Sequence, residues 1–126
     1  MGRIVINKTG IISVKLTIKG IVGGLCEYRV MRNQELKDPI FIKRNKTEFI
    51  GNPDDIKDDV VGWDVRVFNP GMTEQKYAVI LEWIQNGKII YSWIPEGGPF
   101  TIIGNLHNYQ VDGYYMVIAE SNKHII

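Results

Sequence analysis

The sequence predicts an all-β protein: a single antiparallel β-sandwich of about eight strands, immunoglobulin-like in architecture but without the disulfide. Three observations lead there. The dominant hydrophobic period is two rather than 3.6. Turn chemistry recurs between the apolar runs, at Thr9-Gly10, Gly20 to Gly24, Asn52-Pro53, Asn69-Pro70-Gly71, Asn86-Gly87, Gly97-Gly98-Pro99 and Asp112-Gly113. Helical patterning is nearly absent, and the chain has a single cysteine, Cys26, which excludes an internal disulfide.

The strands follow in order. Residues 11–19, IISVKLTIK, set Ile12, Val14, Leu16 and Ile18 against Ser13, Lys15, Thr17 and Lys19, as in a half-buried strand with one wet face. Residues 25–32 turn Cys26, Tyr28 and Val30 inward against Glu27 and Arg29, and residues 60–69 do the same with Val61, Trp63, Val65 and Val67. GYYMVIAE, 113–120, is the last firm strand, and RIVIN, 40–43, 47–51 and 100–104 are shorter candidates. NPDDIKDD, 52–59, is the best helical stretch, with Asn52 as cap, Pro53 at the first position and Asp54 and Asp55 at the positive end of the dipole. It amounts to a turn or two. With no repeat, low-complexity tract or linker, residues 1–126 are expected to form one domain, long enough to bury a core without a metal or a disulfide.

The ribbon YAVILEWIQNGKIIYSWIP, 77–95, carries the strongest local signal, Asn-Gly between two apolar runs. A regular two-residue hairpin sets Gln85 opposite Lys88, Ile84 opposite Ile89, Trp83 opposite Ile90, Glu82 opposite Tyr91 and Ile80 opposite Trp93. One face then holds Val79, Leu81, Trp83, Ile90 and Ile94. The other holds Ile80, Glu82, Ile84, Ile89, Tyr91 and Trp93. Both are apolar, and leaving several such side chains wet forgoes roughly 1.5–3 kcal/mol each. The second face therefore calls for a cover: a loop such as 38–59, a second copy of the chain, or a ligand or foreign partner.

No motif of catalysis is present. His107 and His124 begin no metal spacing and read as surface residues, and Cys26 reads as a small buried apolar residue. GIVGG, 20–24, precedes a strand rather than a helix, so it lacks the helix N-terminus that a phosphate loop needs. Asp54, Asp55, Asp58 and Asp59 do not match the EF-hand pattern, and the neighbouring KRNK run, 43–46, neutralises them. The formal net charge of +1 gives no broad attraction to nucleic acid, and the aromatics of 77–115 lie apart in sequence from many of the basic residues. No signal peptide, myristoylation signal or apolar run of membrane-spanning length is visible. The two N-x-T triplets, at Asn7 and Asn45, read as turn chemistry.

The expected function is accordingly a non-enzymatic binding or adhesion module, lectin-like, that contacts a glycan or a protein. No cofactor or metal is expected. Pyranose rings present apolar faces to flat aromatic side chains and hydroxyls to carboxylates and amides. Glu82, Tyr91 and Trp93 on one ribbon face supply both. So do Asn108, Tyr109, Asp112 and Tyr114 in the polar, aromatic stretch GNLHNYQVDGYY. The alternatives are a membrane-active, toxin-like β-sandwich subunit with aromatics at a lipid interface, and a structural homo-oligomer that buries the second ribbon face.

Overall fold

The computed structural model describes residues 2–69, 71, 73–95, 100–102, 106–110 and 114–120, and of residues 100, 102 and 106–110 the backbone alone. Among them the chain is all-β, with twelve strands in two sheets and one helical turn. The seven-stranded sheet contains β1 (Gly2–Asn7), β3 (Gly23–Arg32), β4 (Glu35–Leu36), β5 (Ile40–Lys43), β7 (Val60–Phe68), β11 (Leu106–Gln110) and β12 (Tyr115–Glu120). Its order is β1-β12-β7-β3-β4; β11 pairs with β7 ahead of β12, and β5 pairs with β3 beside β4. The five-stranded sheet contains β2 (Ile12–Lys19), β6 (Lys46–Gly51), β8 (Gln75–Gln85), β9 (Lys88–Trp93) and β10 (Phe100–Ile102), in the order β10-β8-β2-β6 with β9 also on β8. The helical turn α1 (Pro53–Ile56) follows β6.

The period-two pattern does what its physics requires. In β2, Ile12, Val14, Leu16 and Ile18 are buried; in β7, Val61, Trp63, Val65 and Val67; in β3, Cys26, Tyr28 and Val30. Side chains from both sheets meet in one buried cluster that also includes Ile4, Ile6, Val79, Leu81, Trp83 and Val117. The sheet is not all antiparallel: β1 runs parallel to β12, with Ile4 opposite Val117. The strand count also exceeds the expected eight. Within residues 38–59 the short candidates at 40–43 and 47–51 form β5 on one sheet and β6 on the other, and the expected helical turn is α1. Residues 106–110, expected in a polar contact loop, form β11 along β7. A strand at the margin of a sheet needs no apolar alternation, so its sequence looks like a loop.

Asn86 and Gly87 both have positive φ, +54° and +73°, as a type I′ turn demands. Gln85 opposes Lys88 and Ile84 opposes Ile89, as the sequence predicts. Beyond that the register shifts: Trp83 opposes Tyr91, Glu82 opposes Ser92 and Leu81 opposes Trp93. Ile90 is the extra residue of a β-bulge, and one inserted residue reverses the facing of everything after it. The expected division of faces is therefore wrong for the second half of the ribbon. Tyr91 and Trp93 stand with Trp83 and Leu81 on the core side, not with Glu82.

The turn itself is docked. Gln85, 1% exposed, has its Oε1 accepting from the Asn7 N–H at 2.8 Å. Its Nε2 reaches the carbonyls of Asn7 at 2.9 Å, Thr9 at 3.1 Å and Gly10 at 2.8 Å. Asn86 Nδ2 adds a bond to the Thr9 carbonyl at 3.1 Å. Gly10 sits at φ +105° with no room for a Cβ beside Asn86, so glycine is required there on both counts.

Candidate functional site

The bulge gathers an aromatic cluster between the sheets. From the five-stranded sheet come Trp83, Tyr91 and Trp93; from the seven-stranded sheet, Tyr28, Trp63 and Tyr115. Trp63 and Trp83 lie with ring centroids 4.8 Å apart, and Trp63 stacks on Tyr115 at 5.0 Å and 22°. Trp93 meets Trp63 edge-on at 5.7 Å, and Tyr91 meets Trp83 at 5.2 Å and Tyr115 at 5.7 Å. Such pairs contribute about 0.5–1.5 kcal/mol each beyond area burial. Tyr91, Trp93 and Tyr115 are half-buried against the core. Burial, with a hydrogen bond to Tyr115, pushes the Tyr91 hydroxyl well above the ordinary phenol range. The cover that the aromatic row required is supplied in large part by the chain's own other sheet.

The remaining sequence-identified residues are dispersed. Glu82 alternates with buried Leu81 and Trp83, so it lies on the outer face of the five-stranded sheet, opposite Lys15 on one side and Ser92 on the other. Asn108 and Tyr109 lie on β11, opposite Arg66 and Val65. Their side chains, and the whole of Asp112, lie outside the described residues. Tyr114 is 57% exposed, the one residue of the set with a largely open ring among those described.

Around Tyr114 the outer face of the seven-stranded sheet is polar and ordered. Gly62 leaves the space the ring uses: a Cβ there would meet Tyr114 Cδ1 at 3.0 Å and Cε1 at 3.1 Å, with Arg29 Nη2 at 3.9 Å. Arg29, opposite Gly62 on β3, sends Nη1 to Glu27 Oε2 at 3.0 Å and Asp64 Oδ2 at 3.5 Å. Arg66 Nε lies 3.6 Å from Asp64 Oδ1. That contact is too long for a hydrogen bond, and Asp64 Oδ1 is buried without a hydrogen-bond partner among the described residues. The arrangement offers an open aromatic ring, guanidinium groups on two strands and the partly exposed Glu27 carboxylate, with Asp64 buried beneath them. Sequence reasoning missed Glu27, Arg29, Gly62, Asp64 and Arg66. They were legible only as the wet face of two strands: the β3–β7 pairing brings Arg29 to Gly62 and Asp64, and the β12–β7 pairing brings Tyr114 to Gly62.

Cys26 is buried, and burial, reinforced by the negative Asp64, pushes its thiol up to about 12. Such a thiol stays protonated and is a poor nucleophile. Among the described residues no group of three or more His, Cys, Asp and Glu side chains is placed to hold a metal ion. Of the aspartates of 54–59, Asp54, Asp55 and Asp58 line one open cleft with Lys57, and Asp59 is held by Arg32. No helix among the described residues is long and apolar enough to cross a membrane. Comparison with known proteins finds no match: no family model, no curated protein and no solved structure is similar to this chain.

Proposed function

We propose that the chain is a single β-sandwich domain, immunoglobulin-like in its layers, that works as a non-enzymatic binding module for a glycan. The contact surface is the outer face of the seven-stranded sheet around Tyr114. Ring contacts such as Trp63 to Trp83 across the two sheets support the sandwich. The likeness is of layers alone, because the two sheets hold seven and five strands, more than an immunoglobulin domain carries. The observation that carries the functional reading is the open Tyr114 ring seated over Gly62 beside Arg29, Glu27 and Asp64. Stacking on the ring desolvates an apolar sugar face, while fixed donors and acceptors orient the hydroxyls. A glycan array tests it. The wild-type protein gives saturable hits, and Tyr114→Ala, folded by circular dichroism, loses them. An array with no hit, or hits indifferent to Tyr114, sinks the reading.

A second reading, a homo-oligomer, has its own observation. On the outer face of the five-stranded sheet, Phe49, Ser13, Ile84 and Ile89 are successive cross-strand neighbours, and Phe49 and Ile89 are 55% and 58% exposed. Such an apolar row suits a second copy. Light scattering decides: a mass twice that of the 14.4 kDa chain, reduced to one chain by Ile89→Lys, supports it. A monomer at all concentrations removes it.

A further inference from the structure

A cleft of about 320 Å³ opens where β3, β5, β6 and α1 converge, away from the Tyr114 face. Its apolar lining is aliphatic: Val30 and Ile56 are buried, and Ile40 and Ile50 are half-buried against the core. Buried Tyr28 marks its inner end; Lys37 and Asp38, both exposed, mark its mouth. Between them stands Arg32. Its Nε and Nη2 donate to Asp59 Oδ1 and Oδ2 at 2.9 and 2.8 Å, a bidentate pair in which Asp59 is 2% exposed. A guanidinium carries five N–H donors in a rigid fork. Asp59 takes two, and the others have no protein partner among the described residues.

This geometry has elements of a small-ligand site: concave, with an aliphatic wall set beside fixed polar groups. The Asp59 pair immobilises the guanidinium in advance, so a ligand meeting its free edge loses little side-chain entropy. The formal charges of the lining cancel, Arg32 and Lys37 against Asp38 and Asp59, so the ligand is set by the unpartnered N–H donors of Arg32, which call for an acceptor. A carboxylate meets them with a single added charge, whereas a phosphate dianion would add two and lose more hydration against the aliphatic side chains.

We propose that this cleft binds a small amphipathic carboxylate, its apolar part among Val30, Ile40, Ile50 and Ile56 and its carboxylate on the free edge of Arg32. The proposal is independent of the glycan reading. The probe is sodium hexanoate, with 1-hexanol as its neutral match, titrated into methyl-labelled full-length protein and followed by NMR. Hexanoate produces saturable shifts at Val30, Ile40, Ile50 and Ile56, and hexanol binds roughly tenfold more weakly for want of a charge-assisted bond. Arg32→Gln brings hexanoate down to the level of hexanol. Should Arg32→Gln fail to fold with Asp59 left alone, Ile50→Trp, which fills the cleft and keeps the ion pair, abolishes the shifts. No saturable shift with hexanoate, equal binding of hexanol, or hexanoate binding that survives Ile50→Trp overturns the proposal.

Discussion

Deleting Ile90 and, separately, Ser92 distinguishes the two registers open to the β8–β9 ribbon. In the bulged ribbon Ile90 is the extra residue, and Trp83 already opposes Tyr91. Its removal leaves Ile84–Ile89, Trp83–Tyr91 and Leu81–Trp93 in place as a flush ladder. The loss is one half-buried isoleucine, about 1 kcal/mol at half the value of full burial. Removing Ser92 instead shifts Trp93 to the outward position opposite Glu82. That forfeits its partial burial and its edge contact with Trp63 at 5.7 Å, together about 2–3 kcal/mol. For a chain of this length 1 kcal/mol shifts the melting temperature by roughly 3–5 °C, so the Ser92 deletion should melt about 3–10 °C below the Ile90 deletion. The assay is thermal unfolding by circular dichroism with near-ultraviolet detection of the tryptophans. A regular hairpin reverses the expectation, since removing Ile90 would then invert both aromatics. An Ile90 deletion that melts at or below the Ser92 deletion refutes the bulge.

Other expectations follow from the same contacts. Gln85→Leu strands the Asn7 N–H and carbonyl, and it should cost about 3 kcal/mol in urea unfolding; a loss under about 0.5 kcal/mol would mean water replaces the side chain freely. Arg32→Met leaves Asp59 charged and buried, and at a partly exposed site it should cost about 3 kcal/mol, the lower end for a broken buried pair; equal stability of wild type and variant would contradict the bidentate contact. Cys26, with its thiol pushed up to about 12, should resist an aromatic disulfide reagent at pH 8 in the folded protein and react at once in guanidinium; brisk reaction in the native state would deny its burial. Tyr114→Ala should change stability by no more than about 0.5 kcal/mol, because the ring is mostly exposed; a larger loss by denaturant titration would assign it a packing role.

The long alternating strands were legible because their physics is local. Ile12 to Ile18 and Val61 to Val67 report their own burial through a strict period of two. So did the Asn86-Gly87 turn, because positive φ at two successive positions favours those residues. The Ile90 bulge was not legible. Ile89 and Ile90 are chemically identical, so nothing in the ribbon says which is paired and which is extra. Only packing of Tyr91 and Trp93 against Trp63 and Tyr115, from distant parts of the chain, selects the register. The Asn33-Gln34 turn joining β3 to β4 was hidden for another reason: both residues take positive φ, +52° and +65°, without a glycine to announce it. Of the candidate site, Tyr114 was visible as an aromatic beside polar residues. Its partners Arg29 and Asp64 were not, since they lie 35 residues apart and meet only through sheet pairing.

The binding face is tested most directly by mapping it. In an amide NMR titration of the labelled protein with a glycan array hit, shifts should centre on Arg29, Gly62, Asp64 and Tyr114, with Glu82 and Ile89 unmoved. Shifts centred on Glu82, Ile84 and Ile89, on the opposite sheet, would contradict it.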